Sequence, residues 1–238
     1  MNVLAIGNSF SQDATRYLHD IARARGVNME VANLYIGGCS LERHFRNMLS
    51  GENAYELGYN GHPTGFMVSL KQALLNRQWD VVTIQQASHF SFDKATYEPY
   101  AENLVEYIRS CAPKAKVYVH ETWAYEDGSD RLCNVAGYVT AAAMLEDIKK
   151  AYHGICEELD LDGFIPCGEL FGKLLESGIA KIHRDTFHAS LGLGRYALGL
   201  MWFRALTGES VQNDAYCDLD EPASADELDI VRRCADMF

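Results

Sequence analysis

The chain has 238 residues, 48% of them hydrophobic and 23% charged, with 33 acids against 21 bases and a formal net charge of −12. Those proportions suit one globular domain over residues 1–238, large enough to bury a substantial core. So acidic a surface repels nucleic acid backbones and anionic membranes, which leaves a small molecule as the expected partner. No apolar stretch approaches the roughly 18 residues needed to span a bilayer. The apolar start, Val3 to Ile6, lacks the basic leader and cleavage site of a secretory signal. Seven cysteines are scattered along the chain with no Cys-x-x-Cys pair. They read as reduced thiols of a cytoplasmic protein rather than as a disulfide or zinc framework. The eight histidines show no ligand spacing, so neither a metal nor another cofactor is expected.

Strand and helix signals alternate along the whole chain. Val3–Ile6 is an apolar strand, followed by an amphipathic helix over Gln12–Arg25 that stops at Gly26. Met29–Tyr35 reads as a second strand ending at Gly37-Gly38, and Leu41–Leu49 as a short helix. Gly51–Gly65, rich in Gly, Asn and Tyr, breaks the alternation and reads as a long loop. A helix is expected over Gly65–Arg77, where Phe66, Leu70, Ala73 and Leu74 fall at helical spacing. Asp80–Ile84 is β-branched and apolar on both faces, as a central parallel strand requires.

Further on, Tyr97–Cys111 is helical, Lys116–His120 is a fourth strand, and Trp123–Asn134 is a second long loop. Gly137–Leu159 is a long helix, Gly163–Pro166 a short fifth strand, and His188–Leu206 a buried helix. Ser224-Ala-Asp-Glu227 is a capping box that opens the last helix. Such alternation implies a parallel sheet with right-handed crossovers, hence an α/β fold: a three-layer α/β/α sandwich with a doubly wound sheet of about five strands. Long loops in compact domains tend to carry function. The two here are candidate walls of a cleft, or else a surface hairpin and a flexible loop.

Two segments carry the chemistry. Gly7-Asn8-Ser9 follows the first strand and presents a hydroxyl at the sheet edge where ligands of open α/β sheets bind. Asp185-Thr-Phe-His188 supplies an acid and an imidazole three residues apart. A serine becomes nucleophilic when a base removes its proton, and a carboxylate fixes the tautomer of that base. Each segment also has a structural reading: Gly-Asn-Ser as a turn and helix cap, Asp185 as the cap of a helix holding His188. His89, just after Gln85-Gln86, is the competing candidate base.

With Gly7-Asn8-Ser9-Phe10-Ser11, Gly37-Gly38, Ile84-Gln85-Gln86 and Asp185-x-x-His188 in that order, the chain resembles the SGNH (GDSL-like) hydrolase superfamily. The resemblance implies a flavodoxin-like sandwich and a catalytic set of Ser9, His188 and Asp185. It further implies an oxyanion hole built from the Ser9 N–H, the N–H of Gly38 or Gly37, and the side-chain amide of Gln85 or Gln86. The sequence departs from the superfamily pattern at Asn8, where many members have aspartate, and at Gln85-Gln86, which replaces Gly-x-Asn. Acetylesterases within the superfamily point to an acetyl ester, on a carbohydrate, as substrate. Asn8, Gln86 and Trp123 are expected on the substrate side. The alternative is a non-catalytic sandwich that binds a small polar ligand.

Overall fold

A computed structural model describes all residues from Met1 to Phe238. Its seven strands are β1 (Asn2–Gly7), β2 (Glu30–Tyr35), β3 (Tyr55–Tyr59), β4 (His62–Val68), β5 (Val81–Ile84), β6 (Lys116–His120) and β7 (Gly163–Ile165). They form one sheet in the order β4-β3-β2-β1-β5-β6-β7. β1 lies at its centre, parallel to β2 on one side and β5 on the other, with Ala5 opposite Asn33 and Thr83. The parallel part, β2-β1-β5-β6-β7, is the flavodoxin-like order, and its winding reverses between β1 and β5. The crevice at that reversal lies beyond Gly7 on one strand and Ile84 on the other.

The sheet has seven strands rather than about five, because the Gly51–Gly65 segment and part of the expected helix after it form an antiparallel hairpin. Asn60-Gly61 makes its turn with φ of 48° and 82°, both left-handed, as a two-residue hairpin turn requires. β3 pairs antiparallel with β2, and β4 is the outer edge. The helix expected over Gly65–Arg77 is therefore shorter. It is α4, Leu70–Leu75, opened by Ser69 and Gln72 in a capping box. Phe66 sits on β4 and is exposed, so its helical spacing with Leu70 was coincidence.

The helix expected over Gln12–Arg25 is two helices, α1 (Ser9–Thr15) and α2 (Leu18–Ala24). α3 (Leu41–Ser50), α5 (Tyr100–Cys111), α6 (Ala141–Glu158) and α9 (Ala225–Ala235) lie where expected, α9 behind the Ser224–Glu227 capping box. α7 (Cys167–Glu176) was not anticipated. α8 (Leu193–Thr207) begins five residues after His188, which therefore lies in a loop and not in a helix. α8 is buried along most of its length and packs on α1, α2, α7 and α9, while α3 and α4 pack with α5. These are the outer layers of the α/β/α sandwich. No helix is long and apolar enough to cross a membrane.

Gly61 also anchors the hairpin to the break between α1 and α2. A Cβ there would sit 2.1 Å from the Arg16 carbonyl oxygen, in a backbone conformation that already disfavours side chains. Gly61→Ala is expected to lower the unfolding free energy by more than about 1 kcal/mol in urea titration. The same substitution at Gly128, left-handed but with open space around it, is expected to cost less.

Candidate active site

Ser9 is the first residue of α1 and follows β1 by two positions. Asn8 caps the helix, its Oδ1 accepting the Phe10 N–H at 3.0 Å. The strand-to-helix corner is tight enough that only glycine fits before it. A Cβ on Gly7 would lie 2.5 Å from Ser11 Oγ and 2.8 Å from Gln85 Oε1. The result holds the Ser9 hydroxyl at the sheet's C-terminal edge, beside the switch-point crevice.

Asp185 and His188 lie on a loop pinched by a bridge between His183 and Ala189, with Thr186 left-handed at φ 73°. Asp185 Oδ1 accepts the His188 backbone N–H at 2.9 Å, and its Oδ2 lies 2.8 Å from His188 Nδ1. Burial pushes the Asp185 carboxyl up, but the two hydrogen bonds from His188 outweigh it and hold the group below its ordinary range. A carboxylate there can only accept, so Nδ1 carries the proton and Nε2 presents its lone pair. That Nε2 lies 2.8 Å from Ser9 Oγ. The imidazole also leans on the Phe187 ring, with centroids 3.8 Å apart.

A buried ion cluster joins the two loops. Asp13, one turn beyond Ser9 on α1, accepts Arg184 Nη1 at 3.0 and 2.9 Å and Arg195 Nε at 2.8 Å. Arg184 immediately precedes Asp185 and its backbone N–H donates to the His188 carbonyl at 3.0 Å. Arg195, in the first turn of α8, continues to Asp220, which also pairs with Arg16. The helix that carries the hydroxyl thus grips the loop that carries the imidazole.

The glutamines prove unequal. Gln86 is consumed by the scaffold: its Oε1 accepts the N–H groups of Leu41 and Ala87, and its Nε2 donates to the carbonyl and hydroxyl of Thr96. Both ends of its amide are used up, which corrects its expected place on the substrate side. Gln85 lies against Asn8. Its Nε2 donates to Asn8 Oδ1 at 2.9 Å, leaving one amide hydrogen, and its Oε1 accepts His120 Nδ1 at 2.8 Å. Asn8 is buried as well, and its Nδ2 donates to the Cys39 carbonyl at 3.0 Å, so its expected place on the substrate side is likewise corrected. That bond ties the Ser9 corner to the Gly37-Gly38 turn, where Gly38 is left-handed at φ 60°. The N–H groups of Ser9, Gly37 and Gly38 donate to no acceptor of the chain.

Trp123 is fully buried, so the expectation that it meets substrate is also corrected. It stacks on Phe10 at 4.1 Å, and its Nε1 donates to the Phe187 carbonyl at 2.7 Å. It braces the loop of Asp185 and His188 from behind. His89 packs on Phe90 at 4.3 Å and makes no hydrogen bond to Ser9. Cys39 is buried, and burial pushes its thiol up to about 12, so it is no nucleophile. No three His, Cys, Asp or Glu side chains converge as they would around a metal ion.

The sandwich is that of the SGNH hydrolases. A candidate SGNH hydrolase from Slackia heliotrinireducens matches it with a TM-score of 0.63 at 20% identity, over 87% of this chain and 98% of that one. The acetylxylan esterase Axe2 from Geobacillus stearothermophilus matches with a TM-score of 0.54 at 15% identity, over 86% and 91%. Within that fold the chain belongs to DUF4886, a domain of unknown function, whose family model matches residues 2–236. A DUF4886 family protein from Bacteroides uniformis is 32% identical, with a TM-score of 0.91 over 100% of this chain and 93% of that one. No curated protein matches the chain.

Two predictions follow from the groups around the site. Asp13→Asn leaves Arg184 without a carboxylate and Arg195 with Asp220 alone. It is expected to cost on the order of 3–5 kcal/mol in urea unfolding, against little for the exposed Asp218→Asn. The second concerns the end of β6 and its surroundings. Burial lowers His120 and His44 to about 3 and raises Glu121 to about 8, the last despite the Glu169 N–H that Glu121 Oε2 accepts. Below the ordinary imidazole pKa of about 6.5 the unfolded chain gains protons that the two folded rings refuse, so stability falls with falling pH. Above it the folded chain keeps a proton on Glu121 that the unfolded chain has lost, so stability falls again towards pH 8. The melting temperature should therefore peak near pH 6.5, and Glu121→Gln should flatten the alkaline limb.

Proposed function

We propose that the protein is a serine esterase acting on a small acyl ester. The observation that carries the reading is the unbroken chain Asp185–His188–Ser9, with 2.8 Å at each link, at the switch point of the sheet. Ser9 Oγ attacks the ester carbonyl carbon as its proton passes to His188 Nε2. The carbonyl π electrons move onto oxygen, giving a tetrahedral oxyanion. The N–H groups of Ser9 and Gly38, free of other acceptors, and the remaining amide hydrogen of Gln85 are the donors for that charge. Collapse breaks the bond to the alcohol, which leaves with the proton from His188. Water then loses a proton to His188 and attacks the acyl-enzyme, and the acid is released from Ser9 as the proton returns to its hydroxyl.

Acetyl on a carbohydrate is the substrate class we favour. The shared fold with an acetylxylan esterase supports that choice, as does the glutamine in place of the superfamily's Gly-x-Asn. The seven cysteines form no disulfide, which supports a cytoplasmic location.

Incubation with a fluorophosphonate probe tests the reading, since only an activated serine labels. Labelling is expected on Ser9 and is expected to vanish in Ser9→Ala together with hydrolysis of 4-nitrophenyl acetate. Labelling of another serine, or turnover that survives in Ser9→Ala, overturns the assignment. Gln85→Ala is expected to lower kcat by about 10²-fold with little change in KM, the usual cost of one oxyanion donor. Asp185→Asn separates a catalytic role from a structural one. An asparagine Oδ1 still accepts the His188 N–H that shapes the loop, so a purely structural role predicts near-native rates, whereas loss of the His188 tautomer predicts a loss of orders of magnitude.

A further inference from the structure

The long loop Trp123–Asn134 is fastened to the loop of Asp185 and His188 by three hydrogen bonds, one of them from His183 Nε2 to the Ala124 carbonyl at 3.1 Å. Trp123 Nε1 donates to the Phe187 carbonyl at 2.7 Å, and the Glu126 N–H donates to the Thr186 carbonyl at 2.8 Å. The loop ends in one turn of π-helix, Arg131–Val135, whose first residue turns back towards the site. The Arg131 guanidinium lies 3.8 Å over the centre of the Phe187 ring, the same ring that touches His188, and 5.8 Å from that of Tyr125. Its charge also reaches His89, which burial and Arg131 together keep below the ordinary imidazole range.

Arg131 makes no ion pair with any carboxylate of the chain, though acids outnumber bases. The acids nearest in sequence are engaged elsewhere: Asp127 Oδ1 accepts the Ala141 N–H, and Asp130 Oδ1 accepts Asn134 Nδ2 at 2.6 Å. The arginines around Asp13 are, by contrast, fully paired. A stacked guanidinium keeps its N–H groups pointing outward in its own plane, where they match the two oxygens of a carboxylate. The contact with Phe187 seats the guanidinium on the ring that His188 also touches.

We propose that Arg131 is a specificity-determining residue that binds a carboxylate on the substrate, so that the preferred ester carries an anionic group near the scissile bond. The proposal rests on the esterase reading of Ser9, His188 and Asp185 and names the substrate class of that same site. Phe187 touches both the guanidinium and the imidazole and so sets the spacing between the carboxylate site and Ser9.

The test compares 3- and 4-acetoxybenzoate with the corresponding acetoxybenzamides, which differ from them by the charge. In the native protein kcat/KM for one of the benzoates should exceed that for its benzamide by about 10- to 100-fold, the range of a charge-assisted pair of hydrogen bonds. In Arg131→Gln the ratio should fall to about 1, with KM carrying most of the change, and Arg131→Lys should restore part of it. A native ratio near 1, or a ratio that persists in Arg131→Gln while both rates fall together, overturns the proposal and leaves the esterase reading standing. If neither ester turns over, it is the esterase reading that fails. Calorimetry with 4-hydroxybenzoate and 4-hydroxybenzamide then decides the proposal on its own. Binding of the benzoate alone, lost in Arg131→Gln, supports it; no binding, or binding unchanged in that variant, overturns it.

Discussion

The site depends on the grip of Asp13 on Arg184. Ser9 and His188 are 179 residues apart in sequence, yet a hydroxyl and an imidazole must meet within a hydrogen-bond length. Asp13 stands one helical turn from Ser9 and Arg184 four residues from His188, so the ion pair fixes the relative position of the two loops close to the reacting atoms. Burial makes the arrangement all or nothing: Asp13 has 1% of its side chain exposed, and a carboxylate so placed is tolerated only with its partners present. Arg195 extends the same cluster into α8, a helix buried along most of its length, so the loop of Asp185 and His188 is referred to the core and not to the surface.

What could be read from the sequence was what local chemistry dictates. Gly7-Asn8-Ser9 is a strand end, a close approach and a helix cap in three residues, and Asp185-x-x-His188 is a carboxylate that reaches its own imidazole within one loop. Neither needs a distant partner to be recognised. The hairpin carried an equally local sign, Asn60-Gly61, but the apolar residues at 66, 70, 73 and 74 favoured a helix. Only the Ser69–Gln72 capping box shows where the chain changes from strand to helix.

Roles set by distant partners were not legible. Gln85 and Gln86 are neighbours with the same side chain, and their fates are decided by Leu41 and Thr96 on one side and by Asn8 and His120 on the other. Trp123 looked like a substrate contact because it follows a strand end. Phe10 and the Phe187 carbonyl claim its ring and its N–H instead. The guanidinium of Arg131 gave no sign in sequence, since its significance lies in a carboxylate that its own loop does not supply.

The two departures from the superfamily pattern, Asn8 and Gln85, have one physical explanation. Asn8 must accept from Phe10 N–H and Gln85 Nε2 through its oxygen, and must donate to the Cys39 carbonyl through its nitrogen. An aspartate could do the first two and not the third; its carboxylate would face a carbonyl oxygen in a buried place, at the cost of an unpaired charge. Gln85 in turn needs a donor for its own oxygen, and His120, kept neutral by burial, meets that need in the tautomer with its proton on Nδ1. Each amide is oriented by the next group along, from β6 through β5 to the nucleophile corner and on to the Gly37-Gly38 turn. The Cys39 carbonyl can only accept, so it sets the direction of this row of hydrogen bonds, and the His120 ring takes the tautomer that completes it. Asparagine and glutamine are the residues that can both accept and donate along it.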